Sequence, residues 1–266
     1  MIDAQSLLPA LRVLINQRKP GEDARYIEPG SVIPFVEHEP QLWELYDQPA
    51  VTTSTGDRWL RANFISTLDG SVIGADGRSG SINGDADLRV FQLLRAQADV
   101  ILVGAGTARV EGYQDTDLPD ALAQRRANGS TPRLAVVTRS GNLPPALLAF
   151  EPLIITPEQS PALSRLDGKI PPENLIAAGH GRVDFHATLT ELAERGLHKI
   201  LSEGGPDLFG SLLREDLVDE LCLSWSPTIV SGPGKRISDG QQVDLPANPR
   251  LLLLGEGFLL GRWLLH

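Results

Sequence analysis

One run constrains the fold of this chain more than any other: Asp99-Val100-Ile101-Leu102-Val103-Gly104-Ala105-Gly106-Thr107. Four consecutive apolar residues without alternation predict a strand covered on both faces, the usual condition inside a parallel sheet. Gly104 and Gly106 end the run in a tight turn. Such a turn lets backbone approach a ligand closely, and successive N–H groups or a following helix terminus can hold a phosphate there.

The rest of the chain supplies the elements that such a sheet needs. Trp59 to Ile65 reads as a strand punctuated by Leu68-Asp69-Gly70, and further turn formers stand at Asp76-Gly77 and Ser79-Gly80. A helix is expected over 85–97, where Leu88, Phe91, Leu94 and Arg95 keep the helical period and Val90 and Leu93 widen the apolar face. Asp85 or Asn83 is its expected cap. Strands are expected at 100–103, 134–138, 153–156, 175–178, 197–202, 218–225, 228–230, 250–254 and 258–264. Helices are expected from about Thr107, over 190–195 before Gly196, and over 207–214 with Asp207 as cap. This alternation predicts an α/β class. The last two apolar runs break it and predict an antiparallel strand pair at the edge, with pairing across a subunit interface as a further expectation.

Residues 1–57 read differently, as an N-terminal extension or cap, with the core over 58–266. Leu7, Leu8, Leu11, Leu14 and Ile15 form a short helical stripe after Ser6, and a second short helix is expected over 41–47. Between them, residues 20–39 are rich in charges and helix breakers.

Composition excludes several functions. A formal charge of -10 disfavours a nucleic-acid partner, although a local basic pocket remains compatible with a phosphorylated small molecule. Cys222 is the single cysteine, so no intrachain disulfide or thiolate metal site is expected, and its strand context points to burial. The five histidines show no ligand spacing, so no metal is expected. No serine stands in a nucleophile elbow. No apolar run reaches the length of about 20 residues that spans a bilayer, and no signal peptide is evident; the expectation is a cytoplasmic protein with no membrane partner.

Three segments carry candidate chemistry. Gly104-Ala105-Gly106-Thr107 lacks both the third glycine of a dinucleotide fingerprint and the lysine of a triphosphate loop, so it reads either as a nucleotide site or as a turn without a ligand. Ser202-Glu203-Gly204-Gly205-Pro206 also follows an apolar run and precedes a helix. Two glycine turns after buried strands strengthen each other, because ligands favour the carboxyl ends of strands in open sheets. Asn63 to Ser71 places Ser66, Thr67 and Asp69 at a strand end, either as a site wall or as a plain turn. Glu111 is a candidate acid if shielded and a solvated side chain if not.

Together, residues 64–70, 99–107 and 202–221 resemble, in order and separation, the reductase domain of bacterial riboflavin biosynthesis, and the similarity covers roughly 58–265. The resemblance implies a dihydrofolate-reductase-like fold, with a mixed, mainly parallel central sheet flanked by helices and an antiparallel C-terminal edge. It implies a homodimer that uses NADPH to reduce the ribosyl group of a 5-amino-6-ribosylamino-pyrimidinedione 5′-phosphate to ribityl. Gly104, Ala105, Gly106 and Thr107 would lie against the cofactor, with Glu203, Gly204 and Gly205 facing its phosphates. Thr138 and Arg139 would hold the adenosine-side phosphate. Asn63, Ser66, Thr67, Asp69 and Glu111 would line the substrate side, with Asp69 and then Glu111 as the groups assisting protonation. In place of the family's usual basic residue, Asp-x-Pro and Leu-Thr pair, this chain has Arg109-Val110-Glu111-Gly112-Tyr113, with Glu111 near the usual aspartate and no proline. The expectation is a reductase without a preceding deaminase domain, similar to a standalone branch found in high-GC Gram-positive bacteria. The alternatives are a dihydrofolate or other pterin reductase, and an NADPH-binding protein without efficient catalysis.

Overall fold

The protein is described by a computed structural model covering residues 8–17, 27–48, 58–113 and 116–265. In chain order the first elements are β1 (Leu11–Asn16), β2 (Val32–Ile33), α1 (Pro40–Leu45), β3 (Trp59–Thr67), α2 (Asp85–Gln97), β4 (Val100–Gly104), α3 (Ala105–Val110) and α4 (Asp120–Ala123). Then come β5 (Arg133–Val137), α5 (Pro145–Leu148), β6 (Leu153–Thr156), α6 (Pro161–Leu166), β7 (Leu175–Ala177) and α7 (Phe185–Glu194). The chain finishes with β8 (Lys199–Ser202), α8 (Pro206–Arg214), β9 (Glu220–Ser226), β10 (Asn248–Gly255) and β11 (Phe258–Leu264).

All the strands of the described residues join one sheet in the order β2-β1-β10-β11-β9-β3-β8-β4-β5-β6-β7. From β9 to β7 every neighbouring pair is parallel, whereas β9-β11, β11-β10, β10-β1 and β1-β2 are antiparallel. This is the mixed, mainly parallel sheet with an antiparallel edge expected of a dihydrofolate-reductase-like fold.

The apolar run of β4 explains the layering. Val100 and Leu102 face one core with Leu60, Phe64, Ile200, Leu208 and Phe209, against α7 and α8. Ile101 and Val103 face another with Val136, Leu147, Ala162 and Leu166, against α5 and α6. Alternation along one buried strand thus feeds two apolar layers. A third cluster joins α2 to α1 and the outer strands through Leu11, Val13, Leu42, Val90, Leu93 and Leu253. Cys222 is buried within it.

Five local expectations are corrected. The stripe after Ser6 is not a helix where it is described: Leu11–Asn16 is a strand paired to β10 and β2, with Leu11 and Val13 alternately buried. Sheet pairing overrides a local helical period here, while Ser6 and Leu7 lie outside the described residues. Residues 228–230 are not a strand; after Pro227 the chain turns, with the Thr228 N–H donating to the Ser226 carbonyl. Gly84, not Asn83 or Asp85, occupies the N-cap of α2, and the Asn83 side chain instead accepts from the Gly84 N–H at 2.6 Å. Gly205, not Asp207, is the N-cap of α8. The two C-terminal strands pair with each other, and each has its second edge filled by β1 or β9, so neither is free to pair across a subunit interface.

Candidate active site

A cleft of about 1470 Å³ opens at the carboxyl ends of β3, β4, β5 and β8. The two glycine turns meet at its floor. The Gly104 N–H donates to the Gly204 carbonyl at 2.7 Å, and the Glu203 N–H donates to the Leu102 carbonyl at 3.0 Å. The fit is close enough to require glycine. A Cβ on Gly205 would stand 2.5 Å from Thr107 Oγ1, and one on Gly204, whose φ is +78°, would stand 2.7 Å from the Phe64 ring. The Gly204–Gly205 peptide is cis.

Glu203 beside these turns is 8% exposed. The Arg95 guanidinium grips it with two hydrogen bonds of 2.8 Å, and the Tyr113 hydroxyl donates to it as well. Arg95 also lies over the rings of Phe91 and Tyr113. Burial disfavours its cation, but the adjacent Glu203 carboxylate outweighs that penalty and makes the guanidinium more basic than usual. Burial and the same carboxylate push the Tyr113 hydroxyl well above its ordinary range. Glu203 therefore anchors the loop after α3 to the floor of the cleft.

Most of the residues expected at the site line this cleft: Asn63, Gly104, Ala105, Gly106, Thr107, Glu111, Arg139, Glu203 and Gly205. Glu111 accepts from the Ser79 N–H and hydroxyl, each at 3.0 Å. Arg139 is exposed at the rim. Thr138 is buried just behind it, accepting from the Gly141 N–H at 3.0 Å. Gly204, whose carbonyl is taken by the Gly104 N–H, and Ser66, Thr67 and Asp69 are not among the lining residues. Ser66 is turned to the Thr67 carbonyl, and Thr67 donates to Asp69 and accepts from the Ser71 N–H. The Asp69 carboxylate also takes the Ser231 N–H at 2.6 Å and the Val230 N–H at 3.4 Å. The Thr67 hydrogen bond, then that from Ser231, holds Asp69 below its ordinary range. It is an exposed loop clasp, and its carboxyl is ionised at neutral pH.

Sequence patterning alone does not single out Asp87. It lines the cleft from the first turn of α2 yet is only 4% exposed. Burial raises its pKa to about 6, partly opposed by a hydrogen bond with Ser224. Its available signal is spacing: Asp87, Phe91 and Arg95 stand at i, i+4 and i+8 and share one helix face. The cationic rim is also only partly foreshadowed. Arg95, Arg109, Arg139, Arg182, Arg214 and Lys235 line the cleft beside four carboxylates, in a chain of formal charge -10. Among the described residues no group of three or more His, Cys, Asp or Glu side chains is placed to hold a metal ion, and no helix is long and apolar enough to cross a membrane.

The family described as the RibD C-terminal domain matches residues 58–254. This chain belongs to that family. It is 31% identical, over 75% of its length and 92% of the other protein, to the 2,5-diamino-6-ribosylamino-4(3H)-pyrimidinone 5′-phosphate reductase of Methanothermobacter thermautotrophicus. The Riboflavin biosynthesis protein RibD of Escherichia coli is 25% identical, and the match spans about half of it (51%). Among solved structures, a pyrimidine reductase-like protein from Corynebacterium diphtheriae superposes with a TM-score of 0.69 at 26% identity, covering 85% of this chain and 98% of that one. The yeast Riboflavin Biosynthesis Reductase Rib7 shares the fold, with a TM-score of 0.60 at 18% identity over 85% of this chain and 99% of its own. Membership in the RibD C-terminal domain family makes this chain an oxidoreductase-type enzyme related to those of riboflavin biosynthesis.

Proposed function

We propose that this protein is an NADPH-dependent reductase that converts the ribosyl group of a riboflavin-pathway ribosylamino-pyrimidine 5′-phosphate to ribityl. The observation that carries this reading is the pair of interlocked glycine turns on the floor of a cationic cleft. The residues fit a dinucleotide phosphate. A Cβ on Gly205 would meet the Thr107 hydroxyl at 2.5 Å, whereas one on Gly106 would meet nothing within 4 Å, leaving open space above the turn. When bound, NADPH supplies the hydride for the C1 imine of the ring-opened sugar.

In this reading the backbone around Gly104, Ala105, Gly106 and Thr107 and that of Gly204 and Gly205 cradle the pyrophosphate. Arg139 meets the 2′-phosphate, with Thr138 bracing the turn behind it. Asn63 and Glu111 face the nicotinamide and the substrate. Ser66, Thr67 and Asp69 act at one remove, by fixing the loop that carries Val230 and Ser231. The protein's contribution is orientation and exclusion of water. A homodimer, and action in the cytoplasm without nucleic-acid or membrane partners, complete the proposal.

The test is NADPH oxidation by the purified chain with ribosylamino-pyrimidine 5′-phosphates and, separately, dihydrofolate. Turnover of a ribosylamino-pyrimidine supports the proposal; turnover of dihydrofolate alone, or of neither, refutes it. Arg139→Ala should weaken NADPH about tenfold, the loss of one charge-assisted contact, while NADH binding changes less than twofold. Equal losses for the two cofactors would remove Arg139 from the phosphate site.

A further inference from the structure

The stretch from Gly104 to Tyr113 is fastened at both ends to one turn. At its start the Gly104 N–H donates to the Gly204 carbonyl at 2.7 Å. At its end the Tyr113 hydroxyl donates to the carboxylate of Glu203, one residue earlier in the same turn. Between the two ties lie Gly106, Thr107 and Glu111, and all three line the cleft, as do Tyr113 and Glu203. The two partners of the second tie are unequally held. Glu203 is firm without Tyr113: its N–H donates to the Leu102 carbonyl at 3.0 Å, and Arg95 grips its carboxylate with two hydrogen bonds of 2.8 Å. The segment leading to Tyr113 has weaker support. Helix α3 has only six residues, too few to persist by their own hydrogen bonds. Beyond it Val110 is 49% exposed, Arg109 meets the Asn142 carbonyl at the surface, and Gly112 turns with a φ of +73°. Among the described residues, the side-chain ties that reach this segment from within the cleft are those of Glu111 to Ser79 and of Tyr113 to Glu203.

Resting on the reductase reading, we propose that Tyr113 is a positioning residue for hydride transfer: its hydroxyl, acting through Glu203, closes the 104–113 loop and holds Glu111 in register with the cofactor floor. A phenol donating to a carboxylate makes a hydrogen bond of the stronger, charge-assisted class. Burial, and then the Glu203 carboxylate, push the Tyr113 hydroxyl well above its ordinary range, so it keeps its proton, and the tie, at neutral pH. Tyr113 ends the segment in which this chain lacks the proline of the family pattern, and a proline carries no side-chain donor. The tie is thus a property of this chain rather than of that pattern. Its effect is to order the loop before the reactants arrive, which takes an ordering cost out of the reaction. Loss of the hydroxyl should spare the cofactor, because the glycine floor keeps its backbone bonds and Arg95. It should slow the chemistry, because a misplacement of about 1 Å in a positioning group can cost about 100-fold.

The experiment is Tyr113→Phe in the full chain, which keeps the ring beneath the Arg95 guanidinium and removes one oxygen. Single-turnover NADPH oxidation is followed with whichever of the 2-amino and 2,4-dione ribosylamino-pyrimidine 5′-phosphates the wild type turns over. Fluorescence titration gives the NADPH Kd, and calorimetry the Tm. The saturated single-turnover rate should fall about tenfold or more, with Kd within about twofold and Tm within about 3 °C of wild type. A rate within about twofold of wild type overturns the proposal and leaves the reductase reading intact. A parallel loss of rate, cofactor affinity and Tm also overturns it, because that is the mark of a packing role alone. Turnover of neither compound by the wild type overturns the reductase reading and the proposal with it. Hydrogen exchange on the same two proteins locates the effect without catalysis. The Glu111 and Tyr113 amides should exchange about tenfold faster in the variant, with those of Glu203 and Gly104 unchanged; equal exchange in the loop overturns the assignment.

Discussion

Asp87 burdens the fold that carries it. Its carboxyl is raised from 3.8 to about 6 by burial, so the native state binds its proton more tightly than the unfolded chain does. Stability from this group is complete below about pH 4 and is lost as pH rises through about 6. The loss reaches about 3 kcal/mol at neutral pH, since each pKa unit is worth about 1.4 kcal/mol. Asp87→Asn should therefore be more stable than wild type at pH 7.5 by up to that amount, with the gap closing toward pH 4, as measured by urea unfolding at several pH values. An unchanged gap across the range would refute the burial of an ionised Asp87. The sequence hides this residue because Asp85-Ala86-Asp87 reads as an ordinary acidic first turn. Only the placement of β3 and β9 beneath the helix separates exposed Asp85 from buried Asp87. Gly104, Gly106, Glu203 and Gly205 are legible because a glycine turn announces its backbone role locally. The place of Asp69 outside the cleft lining is not legible locally, because the partners that hold it, Val230 and Ser231, stand 161 and 162 residues away.

At the scale of elements, the interlock between the turns after β4 and β8 sets the shape of the cleft floor. Gly205→Ala places a methyl group against Thr107 Oγ1, so the Thr107 hydroxyl must rotate away from the floor or the two turns must part. The expected result is a weakening of NADPH by about tenfold or more with melting temperature nearly unchanged, because the strain falls on one turn rather than on the core. Fluorescence titration with NADPH measures it, and unaltered affinity would show that the cofactor does not rest on this floor. The strands around that floor are legible from residue pattern alone because β4 and β6 are apolar on both faces. The outer strand β1 is not. Its residues carry a helical spacing, and what decides between helix and strand is the edge offered by β10, more than 230 residues later. Similarly, the apolar 228–230 run loses its strand character to a turn after Pro227 and to the clasp of Asp69.

Across the molecule, a buried ionic cluster ties the early and late parts of the chain together. Glu220 on β9 accepts from Arg61 on β3 at 2.7 Å and from Arg262 on β11 at 2.9 Å. The same two guanidinia donate to the carbonyls of Leu45, Tyr46 and Asp47 at the end of α1. Burial alone would raise the Glu220 carboxyl, but Arg262 and Arg61 outweigh it and hold the pKa at about 2. Its contribution is thus present above about pH 4.5 and is lost as pH falls toward 2. Glu220→Gln leaves two buried cations without their anion and should cost about 3–5 kcal/mol, lowering the melting temperature by about 10 °C; a change below 1 kcal/mol by calorimetry would refute the role of the cluster. The sheet that this cluster braces has two narrow margins, β2 with two residues and β7 with three. Short outer strands offer little template for another chain to copy. Among the described residues the long strand near a margin is β10, eight residues with four consecutive leucines, and β1 lies along it. A product shortened past Asn16, by a nick or an internal start of translation, would exchange a two-residue margin for an eight-residue one, and its solubility would then be decided by how fast such strands find each other.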